Sequence, residues 1–445
     1  MGRAFAFVKS GPVDRGCFEH FRESISPSWV EAALLLTGTA TVRRRRLPAE
    51  QVLWLVIGMA LFRNLSIVDV VRELELSGPG DVGVVPSATT QARERLGPEP
   101  LRWLFERCGS TWAHASADKL RWRGLALYGM DGTTARVPDS EENRAHFGSQ
   151  DAGENRGNSG YPLVRMVTLM ALRSHVLAAA RFGPYDQGEL AYASELWNEI
   201  PDHSLAIVDR GFLAAGWLIP FAAAGQSRHW LTRAKKRTRW TTLKKLGPGD
   251  ELVEIDVPRA LRAEQPELPE KWVVRALRYQ RRGFQPQTLL TSLLDAKAYP
   301  AAELRELYHE RWEIELGYDE VKTEMLEREE TIRSKKPRNV EQELWGLLLA
   351  YNLVRREMEA VAHEAGVPPT RVSFVAGLRF VRSALLSFGL TSSPGTLPKR
   401  LLRLRADLTH FILPERRARA YPRAVKIKMS NYNRKRNAAT GGRPN

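Results

Sequence analysis

Cysteine is nearly absent from this chain: Cys17 and Cys108 are the only two in 445 residues. Two thiols are too few for a disulfide framework or a thiolate zinc site, and they suit a reducing compartment. Long uncharged apolar runs are missing as well. The most apolar stretch, YPLVRMVTLMALRSHVLAAA from 161 to 180, is broken by Arg165, Arg173 and His175, so no membrane span is expected. The opening MGRAFAFVKSGPVDRG lacks the apolar core of a signal peptide. Together these absences point to a cytoplasmic protein. His146, His175 and His203 have no ligand spacing, which leaves little room for a histidine zinc site.

What is present is a folded chain with an uneven charge. A hydrophobic content of 43% with 27% charged residues describes a globular protein, and 445 residues exceed one ordinary core, so two or three domains are expected. The net charge is +16. From Lys399 to the end there are 14 Lys and Arg against Asp407 and Glu415, so this tail carries +12 and the rest only +4. A second basic block, TRAKKRTRWTTLKK, spans 232–245, and Arg43 to Arg46 form a third. Clustered positive charge attracts polyanions, nucleic acid first among them, and would keep the protein at the nucleoid. A tail that merely solubilises is the plainer reading.

Along the chain, residues 47–76 carry apolar positions at helical spacing in two runs broken near Asn64. SGPGDVGVVPS (77–87) makes a turn, and SATTQARERLG follows, with Ser87 as the expected N-cap. Arg93 and Arg95 are expected to project from that short helix, and another helix begins near Pro100. Such a set resembles a helix-turn-helix reader of DNA, as any small helical bundle would. The texture changes at 123. RGLALYGMDGTTARV reads as a strand, and 161–185 as two more divided near Arg173–Ser174; GELAYASELWNEI reads as a helix and SLAIVDRGF as a further strand. These alternations predict a mixed α/β sheet. Residues 236–287, with ELVEIDV, WVVRALRYQ and a Gly247-Pro248-Gly249 turn, read as a β-rich insertion, and TLLTSLLD returns to the sheet.

Two acids each close an apolar strand. Asp131 follows LALYGM, and Asp209 follows LAIV. Reactive groups gather at the carboxyl ends of strands in α/β sheets, although an ordinary turn aspartate accounts for either one alone. A third acid, Glu315, lies in YHERWEIELGYDEVK (308–322). At about 100° per residue, Tyr308, Arg311, Glu315 and Lys322 fall within roughly 60° of one helix face. A solvated face laced with i,i+4 ion pairs would look the same. Three carboxylates from three elements form a hard oxygen set suited to Mg²⁺ or Mn²⁺, and two such ions can drive phosphodiester chemistry.

The spacing Tyr308-x2-Arg311-x3-Glu315-x6-Lys322 resembles the Y-R-E-K signature of the bacterial insertion-sequence-four group of DDE transposases. MDGTTARVPDSEENRAHFG around Asp131, IVDRGF around Asp209 and LLAYNLVRREM at 348–358 agree with it, as do RLPAEQVLW and SATTQARERLG nearer the N-terminus. The resemblance implies a ribonuclease H-like mixed sheet core with a β-rich insertion, preceded by a helical N-terminal domain and followed by a helical, basic C-terminal region. The divisions expected are 1–120 for the DNA-binding domain, 121–235 and 288–350 for the core, 236–287 for the insertion and 351–445 for the C-terminal region. It further implies that Asp131, Asp209 and Glu315 bind two Mg²⁺ (or Mn²⁺) ions and that Tyr308, Arg311 and Lys322 contact DNA. Double-stranded transposon ends and target would be the partners, a homodimer the working form, and hairpin-forming cut-and-paste transposition the reaction. In some members a base flips onto an insertion-domain tryptophan; Trp230, Trp240 and Trp272 are the candidates, and no motif selects one. A ribonuclease H-like nuclease or resolvase, or a silent DNA-binding descendant, would share parts of this pattern.

Overall fold

In the computed structural model the described residues are 25–40, 47–77, 83–149, 160–280, 285–327, 331–389, 403 and 405–415. Arg43 to Arg46, the Gly/Asn-rich stretch 150–159 and the tail from 416 onward lie outside them.

Five helices lead the chain: α1 (Pro27–Leu36), α2 (Ala49–Leu61), α3 (Ile67–Glu73), α4 (Pro86–Leu96) and α5 (Glu99–Lys119). The sequence AEQVLWLVIGMAL of α2 is apolar around most of its circumference, and a helix of that kind needs cover on all sides. It gets that cover from α12 (Pro337–Glu364), a long helix that also packs on α5, on α13 (Phe374–Gly389) and on the sheet. Two local expectations fail here. Val85, not Ser87, precedes the first turn of α4, because Pro86 takes the opening position, where its missing N–H is no loss. Arg93 does not project. It is 4% exposed and donates to Gln342 Oε1 at 2.9 Å and Ser334 Oγ at 2.9 Å. Burial forces a guanidinium to find such partners, so Arg93 fastens the N-terminal helices to α12 and is closed to DNA; Arg95 is exposed.

The sheet has nine strands in the order β3-β2-β1-β4-β5-β9-β8-β7-β6. These are β1 (Ala126–Arg136), β2 (Leu163–Ala171), β3 (Val176–Pro184), β4 (Ser204–Val208), β5 (Arg228–Arg233), β6 (Thr241–Gly247), β7 (Asp250–Asp256), β8 (Lys271–Tyr279) and β9 (Gln287–Thr291). β1, β2 and β3 pair antiparallel, while β1, β4 and β5 run parallel, which is the ribonuclease H-like arrangement. Every residue of β4, SLAIV, is buried, as a parallel strand covered on both faces requires. Helices α6 (Glu141–Phe147), α7 (Glu189–Leu196), α8 (Ala215–Ala223) and α9 (Arg259–Glu264) fill the connections. Antiparallel pairing then carries the sheet outward from β5 through β9, β8 and β7 to β6. The strands within 236–287 therefore prolong the core sheet. β6 ends it as an exposed edge bearing Lys244 and Lys245, whose charge discourages further pairing.

The segment 308–322 is not one uniform helix. After α10 (Ala301–Leu307), for which Pro300 serves as N-cap and not as first residue, the chain tightens into a 3-10 turn at Tyr308–Arg311. It continues as α11 (Trp312–Asp319) and widens into a π-helical stretch at Glu320–Met325. Ideal 100° steps thus hold only across α11. Close packing brings it against the sheet at Gly317, where a Cβ would sit 2.4 Å from Met170 Cε of β2.

Candidate active site

Register builds half of the site. β1 and β4 are parallel with Met130 beside Val208, so the next residues, Asp131 and Asp209, stand side by side. β4 and β5 pair Ile207 with Leu231, which brings Arg233 level with Asp209 in turn. Residues at one level of parallel strands point to one face. Arg233 Nη2 accordingly donates to Asp209 Oδ1 at 3.0 Å.

Helix α11 closes over that face. Arg311 Nη2 pairs with Glu315 Oε1 at 2.8 Å, one helical turn away, and Arg311 Nη1 lies 3.9 Å from Asp131 Oδ2. Its charge acts on Asp209 as well. One guanidinium therefore bears on all three acids of the expected triad. Tyr318 holds the assembly from beneath, its hydroxyl 2.8 Å from Thr168 Oγ1 and donating to the Asp131 carbonyl at 2.5 Å.

The two aspartates feel different fields. Burial pushes the Asp131 carboxyl up to about 6; Glu315 and Glu189 add to this, against the Gly132 N–H and Arg311. Asp209 moves the other way. Burial opposes its ionisation too, but the Arg210 N–H, the Arg233 hydrogen bond and Arg311 together hold it below the usual aspartate value.

Of the other expected residues, Tyr308 is 6% exposed, and burial raises its hydroxyl to about 12. It sits among Arg233, Arg311 and Asp209 as packing, and its ring is closed to stacking on a base. Lys322 lies further on, half-buried in the π stretch. Trp230 is fully buried against Trp272 with ring centres 5.1 Å apart, while Trp240 and Trp272 keep partial exposure.

Sequence reasoning passed over Arg233, Glu189 and Tyr318. Arg233 was visible only as one charge in a basic block, although it ends the strand RHWLTR. Glu189 opens α7 and reaches Gly132, where a Cβ would lie 2.5 Å from its carboxyl carbon.

The donor set suits a hard divalent cation in kind: three carboxylates, with the ionisation of Asp131 opposed by burial, an effect that a neighbouring cation would offset. As the side chains stand, no three Asp, Glu, His or Cys residues among the described ones close on a single point as ligands would. Arg311 occupies the space between Glu315 and Asp131, so Glu315 would exchange that guanidinium for an ion.

Beside Asp209 the surface opens into a groove of about 990 Å³. Arg210, Arg233, Lys235, Lys236, Lys245 and Arg278 line it. Its acids are engaged: Asp250 with Arg275, and Glu251 with the Thr242 hydroxyl.

Comparison with known proteins gives the family. Residues 15–106 match the family described as insertion element 4 transposase N-terminal, and residues 102–353 match the transposase DDE domain. The chain is 38% identical over 436 residues to the transposase InsG for insertion sequence element IS4 of Escherichia coli K12, covering 97% of both. It is also 39% identical over 219 residues to the putative transposase InsZ of the same organism, across 48% of this chain and 71% of that one. Among solved structures, the piggyBac transposase synaptic complex with hairpin DNA aligns with 90% of this chain and 86% of its own, at a TM-score of 0.40 and 13% identity. The matches to both family descriptions, with near-complete coverage of an IS4 transposase, establish that the chain belongs to the insertion-sequence-four family of DDE transposases.

Proposed function

We propose that the protein binds the inverted-repeat ends of its insertion sequence and cuts and rejoins DNA there, by way of hairpin ends, with Asp131, Asp209 and Glu315 as the metal-holding carboxylates. The observation that carries this is the register of β1 against β4, with Glu315 tied to the same point through Arg311. Two Mg²⁺ or Mn²⁺ ions bound there would activate the attacking water or hydroxyl and stabilise the departing 3′ oxygen.

The protein's own groups supply the rest. Asp131 and Asp209 project from a rigid sheet and leave one face to the substrate. Arg311, displaced from Glu315, is free to pair with a phosphate oxygen, for which its planar fork is suited. Lys322 offers a second positive charge along the same helix, and Tyr308 backs Arg311 and Arg233. The basic groove beside Asp209 extends the positive surface for the DNA backbone away from the scissile bond. Residues 1–120 would read the ends, 121–235 with 288–350 would carry the chemistry, and 236–287 with 351–445 would hold the DNA. Two ends are cut together, so a homodimer is the working form, in the cytoplasm at the nucleoid.

The test is a supercoiled plasmid carrying the gene with its native flanks, incubated with purified protein and Mg²⁺, Ca²⁺ or EDTA. Products are mapped by primer extension. Excision at two inverted repeats that needs Mg²⁺ and is absent in Glu315→Ala is the expected result. Binding of the ends without cleavage, even in Mn²⁺, would leave a silent DNA-binding relative as the reading.

A further inference from the structure

Three acids of the signature segment, Glu310, Glu313 and Glu320, are tied to the protein behind it. Arg173, in the turn between β2 and β3, grips Glu310 with both arms of its guanidinium, at 2.9 and 2.7 Å. In the same turn His175 Nε2 lies 2.7 Å from Glu313. Arg355, on α12, donates to His175 Nδ1 at 2.6 Å and pairs closely with Glu320. The Tyr351 hydroxyl donates to Glu320 at 2.9 Å, and Arg355 Nε donates to that hydroxyl at 3.3 Å. An arginine can only donate, so Nδ1 is the accepting nitrogen and the His175 proton sits on Nε2, aimed at Glu313.

The parts of this assembly are held unusually firmly. His175 is fully buried and stands at φ 62° in the β2–β3 turn. Arg355 is 1% exposed, with Phe374 beneath its charged end at 5.3 Å. Glu320 is the first residue of the π-helical stretch, where the helical hydrogen-bond pattern changes. The anchors at Glu313 and Glu320 therefore lie on either side of Glu315 in sequence, one within α11 and one where α11 gives way.

A buried ion pair is a poor source of net stability, because apolar side chains of similar volume fill such a space as well or better. What an apolar core does not supply is a directional lock on a helix. A slip of one residue moves a helical side chain by about 1.5 Å along the axis and about 100° around it. A displacement of about 1 Å at a reacting centre lowers a rate about 100-fold.

We infer that His175, Arg355, Glu320 and Tyr351 form a positioning assembly that sets the register of the signature helix, and through it the reach of Glu315 toward Asp131 and Asp209. None of the four touches the reacting atoms. The inference rests on the reading of Glu315 as the third metal carboxylate, and the experiment separates the two.

The decisive variant is the double substitution Glu320→Met/Arg355→Met, which removes both charges and keeps the space filled. It is compared with wild type and Glu315→Gln in the full chain, on DNA carrying the native ends. The folded double variant should bind ends within about twofold of wild type and keep its KM for DNA. Its kcat should fall at least tenfold, and its affinity for Mn²⁺, followed by electron paramagnetic resonance, should weaken to a similar degree. A folded double variant with wild-type kcat and Mn²⁺ affinity overturns the inference. If the double variant does not fold, Arg355→Lys and His175→Gln, which keep a polar partner in place, carry the same comparison, and wild-type values in both overturn it equally. Cleavage by Glu315→Gln at the wild-type rate would sink the triad reading itself; an inactive Glu315→Gln beside a fully active double variant would sink the positioning assembly alone.

Discussion

Arg275 on β8 and Arg311 at the head of α11 each pair with a carboxylate, at 2.6 and 2.8 Å, and otherwise share almost nothing. Arg275 is fully buried, holds Asp250 with two nitrogens and donates what remains to the Leu293 and Tyr299 carbonyls. Its bonding is spent. Arg311 divides itself between Glu315 and a more distant Asp131, lies 5.1 Å over the exposed ring of Trp312, and faces a glutamate that is 39% exposed. Its bonding can be exchanged. Saturation and access, not the identity of the residues, separate the pair that builds the sheet from the pair proposed to meet a substrate.

The sharpest way to break this contrast is at the exchangeable end. Asp131→Asn, Asp209→Asn and Glu315→Gln should each lower end cleavage by about three orders of magnitude or more, with end binding retained in a gel-shift assay. Cleavage surviving in any one would remove that residue from the triad. Next comes the saturated pair. Arg275→Ala leaves Asp250 charged and buried and should cost about 3–5 kcal/mol in a denaturant titration, whereas Arg311→Ala should impair turnover and barely move stability. Equal losses of stability in both would show that saturation is no guide to role.

A smaller effect concerns acid. Burial opposes ionisation of Glu320, yet the Arg355 guanidinium outweighs it and holds the carboxyl at about 2. An unfolded glutamate titrates near 4.3, roughly, so the native state's advantage is complete above that pH and is lost as the pH falls through 2. Wild-type stability should therefore drop more steeply from about pH 4.3 to 2 than that of Glu320→Gln; parallel curves would contradict the ion pairing. Smallest is the groove. Replacing Lys235, Lys236 and Lys245 with Ala should flatten the dependence of end affinity on salt, by about 0.9 log units for each phosphate no longer neutralised. An unchanged slope would mean that the DNA runs elsewhere.

Much of this was legible in the residues. Apolar runs that end in a single acid marked β1 and β4, and the break at Arg173–Ser174 marked the hairpin between β2 and β3. The Gly247-Pro248-Gly249 turn likewise sits between β6 and β7. Local pattern sufficed there because strand, turn and charge signals act over a few residues. It failed at Arg93, whose partners on α12 are distant in sequence, and at His175, Glu313 and Glu320, which look like solvated polar residues until the turn and the two helices meet. It also failed along 308–322, where a single helical period was assumed and the backbone changes its winding twice.

Spacing and local propensity are properties of the chain, and they were enough for the family, for the alternation of strands and helices, and for naming three candidate acids, of which Asp209 directly follows β4 while Asp131 lies within β1 and Glu315 within α11. Folding alone made Asp131 and Asp209 neighbours, set Arg311 between Asp131 and Glu315, and turned Glu310, Glu313 and Glu320 into anchors for the back of the signature segment. Those outcomes depend on strand register and on burial. Both are set by which distant segments meet, and a carboxylate acquires its field only once its neighbours are in place.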